Sequence, residues 1–284
     1  MRGRRDSIPV TLLTYLLLAG VAAAFVLPLA WMVSVSLKPE SELTRPAGAP
    51  QPLLPERPQL DAYGAVFRSP DFDFLLYARN TLLIAVLSLA GTLTSSAIAA
   101  YGFARVPFRG RKLLFGICLA TMMIPFPVIM VPTYMLFKEL GWIGTFLPLW
   151  VPAWFGSAFN IFLLRQFFMG LPRELEESAM LDGCSRWGCF WRIMLPLSKP
   201  ALAVVALFHL LAVWNDLVGP LIYLAHRDQF TLALGLQFLQ SKPGNTPWNM
   251  LMAANTLVVL PVLVLFLFAQ RTFIRGIATT GMKG

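Results

Sequence analysis

Carboxylate side chains are scarce in this sequence, and one segment of nine residues contains four of them. The 284 residues include only 14 Asp and Glu, and four of these lie close together at Glu174, Glu176, Glu177 and Asp182. Neighbouring carboxylates can act as general acid and base when a nucleophile lies within reach. Because no nucleophile and base can be placed together in one site, we predict that the chain has no catalytic residue. The acidic segment is therefore a candidate for a site that works by contact.

Cysteines and phosphate-binding motifs do not add a second site. Cys118, Cys184 and Cys189 are too few and too irregularly spaced for a disulfide framework or a zinc site, so we interpret them as small apolar residues. The sequence contains no Gly-x-x-x-x-Gly-Lys-Ser/Thr loop, and we do not expect this chain to hydrolyse ATP. We predict that it binds no metal ion and no cofactor.

The composition indicates a membrane protein. Hydrophobic residues make up 57% of the chain and charged residues 13%, and the mean hydropathy is +0.67. A soluble domain has about 25% charged residues and still exposes a large part of its surface to water. Lipid is therefore the expected surroundings for most of this chain.

The lengths of the apolar runs predict an all-α protein with six transmembrane helices. A helix needs about 20 apolar residues to cross the hydrocarbon. Five uncharged runs are long enough, and a sixth is interrupted only by Asp216, near its far end. The six runs are residues 7–37, 80–104, 113–137, 140–164, 200–225 and 243–270. A small-residue sequence at 22–24 is similar to a signal-peptide cleavage site, but the apolar run continues past it and we predict an uncleaved anchor.

The distribution of basic residues predicts the orientation, because Lys and Arg in short loops are retained in the cytoplasm. With six spans both termini lie on one side, and that side collects 15 basic and 5 acidic residues. The other side has 8 of each. The net charge of +9 is thus explained by membrane topology, and we predict cytoplasmic termini and no binding of nucleic acid.

These spans divide the chain into four predicted segments. They are a tail with the first helix (1–37), an extracytoplasmic Pro-rich loop (38–74), a core with five helices (75–270) and a cytoplasmic tail (271–284). Seven prolines should keep the outer loop from forming a long helix. Prolines at 125, 127 and 132 should kink the third span, and small residues at Gly91, Ser95 and Ala99 should let another helix approach the second.

Within the core, residues 171–196 form the longest cytoplasmic loop. Pro172 and the following acids predict a short helix that ends near Gly183, which suits a left-handed cap. A second short helix should carry Trp187, Phe190, Trp191 and Met194 in one stripe at the membrane interface. Two short amphipathic helices joined at a glycine would offer a platform to a cytoplasmic partner.

The spacing in this loop resembles the Glu-Ala-Ala loop of permease subunits of binding-protein-dependent ATP-binding-cassette importers. The residues at the spacing of that loop are Glu177, Ala179, Gly183, Ile193, Leu195 and Pro196, and Ser178 replaces the first Ala. Residues 214–221, 137–141 and 160–168 resemble the carbohydrate branch, and 276–284 resembles the tail of maltose-type permeases except at Thr279, Thr280 and Met282.

The resemblance implies a type I importer fold in a bacterial or archaeal inner membrane, with this chain as the second permease of a maltose-type pair. It implies a homologous permease, a dimer of ATPase subunits that bind ATP-Mg, and an extracytoplasmic binding protein that delivers a sugar-like solute. The ATPase-coupling residues would be Glu174, Glu177, Ser178, Ala179, Asp182, Gly183, Ile193, Leu195 and Pro196.

Polar residues at membrane depth are candidates for the translocation pathway, namely Asn160, Asn215 and Asp216. Hydrogen bonds between helices would also explain them, as they would His209 and Asn255. Three alternative functions stay open: a permease for another solute such as glycerol phosphate or a polyol, an ion-coupled carrier, and a membrane-embedded enzyme. The carrier is weakly supported because no chain of acids and histidines appears at helical spacing, and the enzyme would have to rely on His209 and Asp216.

Overall fold

The structure is a computed structural model that describes residues 8–44, 52–241 and 247–280. Every regular element in these residues is helical. In chain order the α-helices are α1 (Ile8–Ser36), α2 (Glu40–Leu43), α3 (Asp61–Arg68), α4 (Phe74–Arg105), α5 (Arg111–Thr121), α6 (Phe126–Glu139), α7 (Leu147–Trp150), α8 (Ala158–Gly170), α9 (Glu174–Leu181), α10 (Arg186–Leu197), α11 (Lys199–Trp214), α12 (Val218–Tyr223), α13 (Leu232–Gln240) and α14 (Trp248–Thr280). Single 3₁₀ turns cover Val151–Phe155 and Arg227–Gln229.

Four helical stretches are long and apolar enough to cross a membrane. They are Val10–Ser36, Phe74–Arg105, Leu147–Gly170 and Trp248–Phe268. Two further pairs of helices reach spanning length only when they are taken together across a sharp bend. These are α5 with α6, bent by 97°, and α10 with α11, bent by 74°. The described residues therefore provide four to six membrane-spanning elements.

Proline and glycine explain where the helices depart from the predicted apolar runs. The run 113–137 is broken at Pro125, which has extended backbone angles and precedes the first residue of α6. The expected kink is thus confirmed at Pro125, whereas Pro132 lies within α6. The run 140–164 becomes helical only from Leu147, because Gly141 and Gly144 adopt positive φ angles of 68° and 78°.

The chain divides into two compact units, of which the first comprises Met1–Phe74 and Leu236–Leu260. In this unit the Pro-rich segment forms only the short helices α2 and α3, as its prolines predict. The backbone of residues 56–59 is held by hydrogen bonds. The Gln59 N–H donates to the Leu37 carbonyl over 2.8 Å, and the Glu42 carboxylate accepts from the backbone of Glu56 and Arg57. The segment is therefore ordered without a long helix, although 45–51 lie outside the described residues.

The second unit comprises Leu75–Gly235 and Pro261–Gly284, and α4 lies at its centre. Residues of α4, α8, α10 and α11 share one apolar core that includes Ala100, Leu164, Phe190, Met194 and Val205. The small residues of α4 allow the close approach predicted from the sequence. A Cβ atom on Gly91 would lie 2.4 Å from the Trp154 ring, and the Trp154 indole donates to the Leu87 carbonyl over 3.1 Å.

Candidate functional site

The acidic segment of the second unit folds as α9 and ends in a complete cap. Glu174, Glu176 and Glu177 occupy its first turn, where the positive end of the helix dipole favours carboxylates. Gly183 adopts the left-handed conformation with φ of +83°. Its N–H donates to the Met180 carbonyl, and the Cys184 N–H donates to the Ala179 carbonyl. This pattern is a Schellman motif, so the predicted helix and its glycine cap are confirmed.

One face of α9 and its cap are exposed. Of the predicted coupling residues in α9 and its cap, Ala179 is half-buried and the others are exposed. The exposed ones are Glu174, Glu177, Ser178, Asp182 and Gly183. Leu181 is the most exposed apolar residue of the helix, with 89% of its surface accessible. The segment therefore presents acids, small residues and the apolar side chains of Leu175, Met180 and Leu181 on a single short element. Among the described residues, no group of three or more His, Cys, Asp or Glu could hold a metal ion.

Glu176 differs from the acids on either side because it is buried. Only 6% of the residue is exposed. Its Oε1 accepts a hydrogen bond of 2.8 Å from the Tyr101 hydroxyl, which also lies 3.2 Å from the Arg186 carbonyl oxygen. Its Oε2 lies 3.2 Å from the Arg105 Nε, an ion pair whose geometry falls short of a hydrogen bond. The contacts of Glu176 thus connect the first turn of α9 to the C-terminal end of α4.

Arg105 extends this connection to α8. Its Nη2 lies 2.6 Å from the carbonyl oxygens of both Phe168 and Leu171, at the last turn of α8. A cation is favoured at this negative end of a helix, just as Glu176 is favoured at the positive end of α9. The two charges therefore pair with each other and with the helix ends that they face.

The second half of the loop, α10, combines a capped start with an irregular middle. The Ser185 hydroxyl accepts from the Gly188 N–H over 3.1 Å, and residues Phe190–Met194 form a π-helical turn. Phe190 and Met194 are buried, whereas Trp187 and Trp191 are more than half exposed. Phe190 contacts both Trp187 and Trp191, with ring centroids 5.8 and 5.0 Å apart, so these three residues of the predicted stripe lie together. The core of the unit buries Phe190 and Met194, and the location of the stripe at the membrane interface stays a prediction. Ile193 and Leu195 are half-buried and Pro196 is exposed.

The candidate pathway residues make local contacts. Asn160 is buried in α8, with 5% of its surface exposed. The Asn215 side-chain amide donates to the Leu211 carbonyl over 2.8 Å at the end of α11, and the Asp216 carboxylate accepts from the Gly219 N–H over 3.0 Å. The His209 ring lies 3.0 Å from the Ser88 hydroxyl and 3.5 Å from that of Thr92. Asn215 and Asp216 thus have clear roles at helix ends, and His209 joins α4 to α11.

Sequence reasoning missed the buried connection of Glu176. It assigned the coupling role to Glu174 and Glu177 and left Tyr101 and Arg105 without a role. One available signal is that Tyr101 and Arg105 are four residues apart, so they share one face of α4 at its C-terminal end. Which of the nearby acids faces them depends on the fold.

Together the apolar helices and the capped loop define an integral membrane protein with an exposed contact element. The family model described as "Binding-protein-dependent transport system inner membrane component" matches residues 81–279. The chain belongs to this family, and the resemblance noted in its loop is thereby confirmed.

Relatives with curated names agree with this family. The chain is 36% identical over 260 residues to the arabinooligosaccharides transport system permease protein AraQ of Bacillus subtilis strain 168, covering 92% of this chain and 91% of the relative. It is 30% identical over 259 residues to the trehalose/maltose transport system permease protein MalG of Thermococcus litoralis, covering 90% and 91%. The fold matches a chain from the crystal structure of a bacterial ABC transporter involved in the import of the acidic polysaccharide alginate. That match has a TM-score of 0.83 and 23% identity, and it covers 95% of this chain and 98% of the other.

Proposed function

We propose that this chain is a permease subunit of an ATP-driven importer and translocates a sugar or a related polar solute. The two named relatives are permeases of oligosaccharide and disaccharide systems, and this supports a carbohydrate substrate. The chain would pair with a second, homologous permease and receive solute from an extracytoplasmic binding protein. Asn160, Asn215 and Asp216 are the candidate residues of its pathway.

The proposed topology has six transmembrane helices and cytoplasmic termini in the inner membrane. Each bent helix pair then counts as one span. The charge distribution supports this arrangement, because it gives the cytoplasmic side 15 basic residues and the outer side 8. The tail residues 271–284 would be cytoplasmic, and of these 281–284 lie outside the described residues.

The structure of the loop 171–196 is the main observation that supports the proposal. Its exposed residues Glu177 and Gly183 match the Glu-Ala-Ala loop, Ser178 replaces the first Ala of that loop, and the Schellman cap fixes their arrangement. A rigid, exposed helix on the cytoplasmic side suits insertion into a cleft of an ATPase subunit. ATP-Mg would bind and be hydrolysed on that partner, and this chain would have no enzymatic activity of its own.

The test is transport by a reconstituted complex. The chain is co-expressed with a candidate partner permease, ATPase and binding protein, and the complex is placed in proteoliposomes with ATP inside. We expect uptake of a labelled oligosaccharide that requires both ATP and the binding protein. Glu177→Lys should abolish uptake while the permease pair still reaches the membrane, because it reverses the charge of the exposed face of α9.

Two results would contradict the proposal. Uptake that proceeds without ATP and responds to an ion gradient would identify a secondary carrier. Undiminished uptake by Glu177→Lys would show that the coupling role is assigned to the wrong residues. A complex that imports a polyol or glycerol phosphate and no sugar would keep the importer and replace its substrate.

A further inference from the structure

We propose that Glu176, Arg105 and Tyr101 form a buried clamp that makes α9 move as one rigid body with the cytoplasmic ends of α4 and α8. The proposal rests on the function proposed above, in which α9 contacts the ATPase. In that setting these three side chains are positioning residues. They transmit the displacement of α9 into the transmembrane helices without touching the solute or the nucleotide.

Glu176 is a buried carboxylate, so it must have partners within the chain. A carboxylate that is removed from water without a partner is strongly unfavourable, so a buried acid persists only where other groups satisfy it. Glu176 is 6% exposed, while Glu174 and Glu177 on the same helix are exposed. The helix therefore has an outer face available for a partner and an inner carboxylate committed to its own chain.

The partners of Glu176 connect several helices. Arg105 and Tyr101 lie one turn apart on α4, and Arg105 also reaches the last carbonyl groups of α8. The Tyr101 hydroxyl lies near the Arg186 carbonyl oxygen at the start of α10. One displaced helix would leave buried charges and carbonyl groups unsatisfied on the others. Relative movement at this point is therefore costly, and joint movement is not.

Charged groups hold α9 against α4 more firmly than apolar side chains would. An apolar contact is non-directional, so helices that pack only through apolar side chains can slide while they stay buried. Hydrogen bonds to charged groups have narrow distance and angle requirements and are roughly twice as strong as neutral ones. A clamp made from them fixes the register between α9 and α4, which a mechanical linkage requires.

The experiment compares Glu176→Gln with wild type in the reconstituted complex. This change keeps the size and one hydrogen-bonding oxygen of the side chain and removes the charge that pairs with Arg105. We expect solute import per ATP hydrolysed to fall about tenfold per assembled complex, since a hydrogen-bonded charge contributes enough free energy for a change of that size. ATP hydrolysis should persist, because the outer face of α9 is unchanged. Tyr101→Phe should lower the same ratio less, because it leaves the ion pair intact.

Glu139→Gln is the matched control, since it makes the same chemical change at an exposed position at the end of α6. It should leave the ratio at the wild-type value. If the ratio for Glu176→Gln also stays at the wild-type value, the clamp does not transmit motion, whatever happens to the yield of complex. A wild-type complex without any ATP-dependent import would instead contradict the proposed function.

A second measurement tests the clamp without transport. In a chain whose three native cysteines are replaced by Ala, spin labels on cysteines introduced at Ser178 and Gly102 report the distance between α9 and α4, and Gly102 has open space for the label. We expect one narrow distance distribution that is the same with and without ATP, and a broad one in Glu176→Gln. A wild-type distance that changes with nucleotide would overturn the rigid clamp.

Discussion

Glu176 and Glu177 are adjacent in sequence and have opposite surroundings. Glu177 is exposed on the face of α9 that we assign to the ATPase, while Glu176 is enclosed by Tyr101 and Arg105. Successive helical residues point about 100° apart, so a single turn can serve a partner on one side and its own chain on the other. Glu176 and Glu177 therefore have different roles because they lie on different faces of the same helix.

Gly183 offers a test at the scale of one residue. Its φ of +83° is unfavourable for any residue with a Cβ, while open space surrounds the position, so Gly183→Ala changes only the backbone energy. We expect a cost of about 1 kcal/mol, seen as a roughly fivefold faster hydrogen exchange of the amides of α9. Gly170→Ala at the end of α8 also has open space and no positive φ, so it should leave exchange in α9 unchanged. Equal exchange in both variants would mean that the cap does not hold the helix.

Much of this site follows from the sequence because its signals are local. The acids of the first turn and Gly183 lie within one short helix and its cap, and each has a positional preference that the structure bears out, whereas Pro172 lies just before the N-cap residue Arg173. The partners of Glu176 are about 70 residues away, at Tyr101 and Arg105. No local rule indicates such a pairing, because it depends on how α4, α8 and α9 pack.

At the scale of elements, breaks in the helices mark the points where predicted apolar runs and observed helices differ. The run 113–137 predicts one span, and the structure has two helices that meet at 97° because Pro125 lies at their junction. In α10 the π-helical turn Phe190–Met194 contains the buried Phe190 and Met194 together with the exposed Trp191. Hydropathy gives the length of an apolar segment but not the backbone path within it.

The small-residue face of α4 provides a test at this scale. A Cβ on Gly91 would lie 2.4 Å from the Trp154 ring, so Gly91→Ala must displace the indole and its hydrogen bond to the Leu87 carbonyl. We expect a cost of about 1–3 kcal/mol, measured as a lower thermal midpoint of the detergent-solubilised protein. Gly102→Ala in the same helix meets no atom within 4 Å and should leave the midpoint unchanged or raise it. Equal midpoints in the two variants would contradict the close packing of Trp154 on α4.

At the scale of the whole molecule, charge and hydropathy together support an inner-membrane permease with a cytoplasmic loop. The side that we propose to be cytoplasmic has 15 basic and 5 acidic residues, and four of these acids lie in α9 and its cap. An acidic element on a basic surface is suited to a partner with a basic cleft. The family match over residues 81–279 covers this loop and agrees with its proposed role.

Photo-cross-linking from the exposed face of α9 is the most direct test of whether this helix contacts the ATPase. Cys118, Cys184 and Cys189 are first replaced by Ala, and a single Ser178→Cys then carries a benzophenone label in the assembled complex. Ser41→Cys, exposed beside the first span on the predicted outer side, is the matched control. If α9 contacts the ATPase, we expect a cross-link from position 178 to the ATPase subunit and none from position 41. An ATPase that is captured from position 41, or that is never captured from position 178, would contradict it.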